Sequence, residues 1–185
     1  MAIATQSLTL EAFLELPETK PASEFLEGRT TQKPMPQGEH SLLQGKLCEA
    51  INRVAQAEKV AMAFPELRCT FGNQSIVPDL VVFRWPRIPV KASGRIENRF
   101  FLHPDWAIEI LSPDQSSTRV LGNLLHCSSH GTELGWLIDP EAESVFVVLP
   151  EQRVQLLRGN AQLPVLPEIS LDLSVDVLFS WLTLN

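Results

Sequence analysis

The sequence predicts an α/β fold of the α+β-like kind, with a mixed β-sheet flanked by helices, in a single domain over residues 1–185. The first observation is a long amphipathic helix pattern over residues 40–59. The second is a pair of apolar stretches, residues 75–83 and 103–113, that each contain one isolated carboxylate. The third is a series of short apolar runs after residue 133, which are typical of strands.

The N-terminal half begins with a short helix for which Thr9 is a good N-cap, and Pro17 ends it. Residues 23–31 are predicted to be extended, with a turn at Gly28. The helix over residues 40–59 is predicted from one apolar stripe at three- and four-residue intervals, formed by Leu42, Leu43, Leu47, Ala50, Ile51, Val54 and Ala55.

Two strands are predicted to follow this helix. Residues 60–71 form the first, Gly72-Asn73 forms the turn, and residues 75–83 form the second. This second strand is predicted to stop before Pro86, because proline removes a hydrogen-bond donor from the sheet.

In the C-terminal half, the sequence predicts a strand over residues 103–113. A helix is predicted to follow from Ser117 or Thr118 to Ser129, with Gly131 as its C-cap. Short strands are predicted at 134–138, 145–149 and 154–157, the last two as a hairpin. A terminal helix is expected over residues 175–181. The apolar segment 175–184 either packs on its own sheet or is buried in a homodimer.

Composition predicts a globular protein, with 44% hydrophobic and 20% charged residues. No apolar run approaches the roughly 18 residues that span a bilayer, so no membrane association is expected. The N-terminus lacks the pattern of a signal peptide. The three cysteines have no ligand-like spacing and indicate reduced thiols in a cytoplasmic protein.

The net charge of −7 limits how the chain can bind nucleic acid. Because phosphate neutralisation drives much of that binding, a basic face would have to be local. The sequence offers two such groups, of which the second lies in a proline-punctuated loop that could instead be simply solvated. The groups are Arg29, Lys33, Lys46 and Arg68, and Arg84, Arg87, Lys91, Arg95 and Arg99.

Asp79 and Glu109 are the isolated carboxylates of the two apolar stretches. Burying a carboxylate is costly unless it is paired, hydrogen-bonded or bound to a metal. If the two strands are neighbours, both carboxylates can converge on one divalent cation, and magnesium suits such a site. Without that site, Asp79 would be a turn or strand-edge residue and Glu109 a salt-bridged glutamate.

Four motifs in order resemble a known family. They are Glu24-x-x-x-Gly28, Val-Pro-Asp79, Pro-Asp-Trp-Ala-Ile-Glu109-Ile-Leu-Ser-Pro and Gly-Trp136-Leu-Ile-Asp139-Pro. Over residues 8–181 the chain is similar to the Uma-two group of restriction-endonuclease-like proteins, abundant in cyanobacteria and placed in the PD-(D/E)xK nuclease superfamily. The resemblance implies a restriction-endonuclease-like mixed sheet flanked by helices.

The resemblance also implies roles for individual residues. Asp79 and Glu109 would bind Mg or Mn, and Glu24 would lie near the same site. The superfamily also uses a lysine, which in the strict motif would stand at Leu111. In this family it typically comes from the following helix, at the position of Asn123. An asparagine orients water but has no positive charge. Arg119, one turn earlier, is the substitute cation, and Gln115 is a possible contact to water.

Two functions are therefore predicted. The first is a metal-dependent DNA endonuclease that hydrolyses phosphodiester bonds, with DNA as the partner and a homodimer as a possible assembly. The alternative is a catalytically degenerate nuclease fold that binds nucleic acid or protein. Asn123 favours the alternative, and the two retained carboxylates favour the enzyme.

Overall fold

The computed structural model of the chain describes residues 8–113 and 115–184, so part of the N-terminal segment that was compared with signal peptides lies outside it. The helices are α1 (Leu10–Leu14), α2 (Gly38–Ala55), α3 (Ser117–Ser129) and α4 (Val175–Ser180). The strands are β1 (Ser23–Leu26), β2 (Arg29–Gln32), β3 (Ala61–Pro65), β4 (Cys69–Phe71), β5 (Gln74–Ile76), β6 (Leu80–Arg84), β7 (Trp106–Ile110), β8 (Leu134–Asp139), β9 (Ser144–Leu149) and β10 (Arg153–Arg158).

The described strands form two sheets. The larger has the order β10-β9-β8-β7-β6-β3 and is mixed, because β7 and β8 are parallel while the other neighbours are antiparallel. The smaller is antiparallel, with the order β2-β1-β5-β4. The mixed sheet with flanking helices is confirmed, and the second sheet is an addition to it. The single domain over residues 1–185 stays a prediction.

Each of the two strands predicted between residues 60 and 83 is divided between the sheets, so both predictions were wrong in extent. The first breaks after Pro65, where Glu66 has a φ of +47°, and resumes at Cys69. The second breaks at Val77-Pro78-Asp79, since proline lacks the donor that a sheet needs. Asp79 therefore lies just before β6, where the chain crosses from the small sheet to the large one.

Side chains of β7 alternate between two apolar cores, as its sequence pattern predicts. Trp106, Ile108 and Ile110 pack in one core with α2 and α4, whereas Ala107 lies in the other with α3. Helix α2 ends at Ala55 rather than at residue 59, because the chain turns there and Lys59 has a φ of +54°.

The remaining elements lie close to their predicted positions. Thr9 caps α1 by accepting a hydrogen bond from the amide of Ala12. Helix α3 has the predicted end, and Gly131 follows it with a φ of +103°. Strands β9 and β10 form the predicted hairpin. Helix α4 buries Val175, Leu178 and Phe179 in the core of its own chain.

No helix within residues 8–113 and 115–184 is both long and apolar enough to cross a bilayer.

Two arginines of the predicted basic loop are held by carboxylates. Arg84 contacts Asp105 at 2.9 Å, Glu133 at 2.7 Å and Glu168 at 3.2 Å. Arg87 contacts Asp105 at 2.7 Å. Asp105 is buried and also accepts a hydrogen bond from the Arg84 amide. Arg84 and Arg87 therefore tie the start of β7 to β6, and they do not form a free basic surface.

We expect Asp105→Ala to lower the free energy of unfolding by about 3 kcal/mol, because removal of a buried partner leaves two guanidinium groups without their shared carboxylate. Glu133→Ala is the matched control: its carboxylate is 48% exposed, so this pair should contribute at most about 1 kcal/mol. Urea unfolding of both variants checks the difference, and equal losses would contradict it.

Candidate active site

The structure brings Asp79 and Glu109 together. Strands β6 and β7 are antiparallel neighbours, and their register pairs Leu80 with Ile108, which places Asp79 beside Glu109. Both carboxylates are buried, with 3% and 1% of each residue exposed. The geometric expectation that the two stretches converge is therefore confirmed.

Glu24 joins them from β1 of the small sheet. It is buried, and its Oε1 accepts a hydrogen bond of 2.8 Å from the amide of Val77 in the crossing segment. Three carboxylates from two sheets thus meet beside the crossing.

Sequence reasoning missed three residues that contact the site, which are His40, Gln44 and Lys33. It assigned Lys33 only to a possible basic face. Lys33 follows β2, and its Nζ contacts Asp79 Oδ1 at 2.7 Å and Glu109 Oε2 at 3.0 Å. The same nitrogen donates to the carbonyl of Val77 at 2.8 Å. Asp79 and Glu109 lie 46 and 76 residues further along the chain, and no short motif connects positions so far apart.

Asn123, at the position where the family's lysine is expected, does reach the site. Its Nδ2 donates to Glu24 Oε2 and to Glu109 Oε1, both at 3.3 Å. Arg119 is exposed and, within the part of the chain that the structure describes, makes no ion pair with the three carboxylates. Gln115 accepts a hydrogen bond from the amide of Ser112 at 3.1 Å.

Helix α2 fixes Asp79 from the other side. His40 lies in its first turn and places Nε2 3.1 Å from Asp79 Oδ2, which also accepts a 2.7 Å hydrogen bond from the amide of Ile110. Gln44, one turn later, donates to the backbone carbonyl of Asp79 at 2.8 Å. Among the described residues, His40 Nδ1 is buried without a partner.

Burial and the neighbouring charges shift the pKa values of Asp79, Glu109 and Lys33. Burial would raise the pKa of Asp79, but Lys33 and His40 bring it well below its ordinary value. Burial raises the pKa of Glu109 to about 8, because Lys33 only partly offsets burial and the charges of Asp79 and Glu24. Burial would lower the pKa of Lys33, yet the three carboxylates together raise it above its ordinary value. Lys33 is therefore protonated and Asp79 ionised at neutral pH.

Two cavities meet at Lys33 and Gln115. A cleft of about 380 Å³ is lined by Lys33, His40, Asp79, Ser112 and Gln115, with Met35 among the residues on its wall. A cavity of about 10 Å³ on the other side is lined by Lys33, Glu109, Gln115, Arg119 and Asn123. The Asp79 side of the cluster therefore faces the larger opening.

The donor atoms fit a hard divalent cation. Asp79 Oδ1, Glu109 Oε2 and the Val77 carbonyl all face one point, and the Lys33 ammonium stands there. Residues 8–113 and 115–184 contain no group of three or more His, Cys, Asp or Glu side chains arranged to hold an ion. Magnesium does not need such a group, because it usually binds one or two carboxylates and keeps several waters.

We expect Glu109→Gln to gain stability relative to the natural protein as pH rises. The pKa of Glu109 is raised to about 8 in the folded state, so the folded protein holds this proton more tightly than the unfolded chain does. The proton therefore stabilises the fold fully below the unfolded pKa, and this contribution is lost as pH rises through 8. Glutamine resembles the protonated form and has no such loss.

The midpoints of thermal unfolding, measured from pH 5 to pH 9 with a chelator present, check this. The difference in favour of glutamine should grow by a few degrees across that range. Parallel curves for the two proteins would contradict a raised pKa at Glu109.

The chain is similar to a solved structure and matches a family model. No curated protein matches the chain. A crystal structure of a "putative nuclease belonging to DUF820" from Anabaena variabilis ATCC 29413 superposes with a TM-score of 0.92 and is 54% identical, over 95% of this chain and 99% of that one. The model of the Uma2 family, described as "putative restriction endonuclease", matches residues 10–177. The chain has the fold of that protein, and it belongs to the Uma2 family.

Proposed function

We propose that the protein is a DNA endonuclease that hydrolyses phosphodiester bonds with Mg or Mn bound by Asp79 and Glu109. The observation that carries this proposal is the convergence of oxygens from both carboxylates and from the Val77 carbonyl on one cation. The family model and the similar nuclease structure support the same reaction class. A divalent cation at this point would supply an activated water and neutralise charge on the phosphate.

The other site residues position these groups. Glu24 accepts the Val77 amide and thereby fixes the crossing segment whose carbonyl faces the cation position. Asn123 donates to Glu24 and Glu109, so it orients both carboxylates, and its amide is of a kind that also orients water. Arg119 is exposed beside the small cavity, where its guanidinium suits a backbone phosphate.

The reaction is a hydrolysis of a phosphate diester. A water oxygen forms a bond to phosphorus, and the bond from phosphorus to one ester oxygen breaks. The water gives up a proton and the leaving oxygen takes one, so the products are a phosphate monoester and a hydroxyl. The reaction needs no co-reactant besides water.

A second candidate is a degenerate nuclease fold that binds nucleic acid or protein. It is favoured by Asn123, because α3 supplies no ammonium to the carboxylates it faces. This candidate needs no divalent cation, so metal-dependent cleavage separates it from the enzyme.

We place the protein in the cytoplasm, since its three cysteines are free thiols, which suits a reducing compartment. A homodimer would present two such sites to the two strands of a duplex. Of the apolar segment 175–184 first considered for that interface, Val175, Leu178 and Phe179 are buried in their own chain, whereas Val177 and Leu184 are exposed. The homodimer stays a prediction.

The test is cleavage of supercoiled plasmid and single-stranded DNA in the presence of Mn²⁺. We expect Asp79→Ala and Glu109→Ala each to reduce the rate by about 100-fold or more, as loss of a preorganised charge at a reacting centre does. Glu49→Gln, an exposed position on α2, is the control and should cut like the natural protein. Cleavage that survives both alanine variants would refute the proposal, and no cleavage by the folded natural protein would favour the binding module.

A further inference from the structure

We propose that Lys33 is a catalytic residue of this nuclease, and that it begins to act when a divalent cation takes its place between Asp79 and Glu109. This inference rests on the proposed function. The positive charge that α3 does not supply to the carboxylates would come from Lys33, which follows β2 of the small sheet.

The charge balance of the site requires a cation. Glu24, Asp79 and Glu109 are all buried, and Asn123 brings no charge to them. Of the described lysines and arginines, Lys33 is the residue that forms ion pairs with Asp79 and Glu109. A buried ionised carboxylate such as that of Asp79 is strongly disfavoured without a counter-cation, so the ammonium holds the position that a metal ion would otherwise take.

The surroundings of Lys33 allow it to move without leaving the site. Its backbone is fixed, because its amide donates to the carbonyl of Ala22 at 2.9 Å and Pro34 follows it directly. Its side chain is a flexible four-carbon stem with three donors at the end. Since Lys33 lines the cleft of about 380 Å³, a displaced ammonium would still lie beside Asp79 within that cleft.

The displaced ammonium would then meet the substrate. A phosphate bound to the cation between the two carboxylates would lie at the cleft, within the reach of Lys33 Nζ. Lys33 would donate hydrogen bonds to a non-bridging phosphate oxygen and stabilise the charge that develops there.

The experiment compares Lys33→Met, Asn123→Lys and the double variant with the natural protein, and Lys59→Met, at an exposed position after α2, is the matched lysine control. Binding of Mn²⁺ alone is measured by calorimetry, and plasmid cleavage is measured at saturating Mn²⁺. Lys33→Met should bind Mn²⁺ at least about tenfold more tightly, because a like charge no longer occupies the site. It should also cut about 100-fold more slowly. Adding Asn123→Lys to Lys33→Met should raise the cleavage rate at least about tenfold above that of Lys33→Met alone, since α3 then supplies an ammonium to the same carboxylates.

Lys33→Arg is the second variant if Lys33→Met does not fold. It keeps the counter-charge but replaces a compact ammonium with a planar group, so it should fold and still cut more slowly than the natural protein. Unchanged Mn²⁺ affinity and unchanged cleavage in the folded Lys33 variants would overturn the proposal. If the natural protein cuts no DNA, the proposed nuclease fails and the catalytic role fails with it. The Mn²⁺ titration would then separately decide whether the ammonium and the metal share one position.

Discussion

The structure depends on the contact between one ammonium group and the carboxylates buried between its two sheets. Asp79 lies just before β6 and beside Glu109 of β7, while Glu24 lies in β1 and Lys33 directly follows β2 of the small sheet. Since each charge is costly to bury without the others, the small sheet must dock where Lys33 meets the large sheet. The position of the site and the packing of the two sheets therefore have the same cause.

The backbone of the crossing segment Val77–Asp79 is held by the side chains of the site. A segment that leaves one sheet and enters another loses its ladder partners, and its buried backbone groups need new ones. Glu24 accepts the Val77 amide, Lys33 donates to the Val77 carbonyl, and Gln44 donates to the Asp79 carbonyl. The side chains that surround the cation position thus also satisfy the backbone that supports it.

The sequence predicted what depends on local pattern. The helices, the β9–β10 hairpin and the alternation of β7 follow from apolar spacing, and the convergence of Asp79 and Glu109 follows from two neighbouring strands. The breaks at Pro65 and Val77-Pro78 were missed because the apolar pattern continues across them into a different sheet. Lys33 was missed because its partners belong to another sheet, and nothing near it in the chain identifies them.

The ion pairs of the arginines have a consequence for how the protein would hold a polyanion. Arg68 is paired with Glu18, and Arg84 and Arg87 are held by acidic residues, in a chain with a net charge of −7. These three arginines are already neutralised by carboxylates, so they are not available to neutralise phosphates, and the dependence of binding on salt concentration follows the number of counterions that the remaining cationic groups release. If the protein cuts DNA as proposed, the response of its DNA binding to ionic strength would report how many of the lysines and arginines outside these pairs reach phosphates.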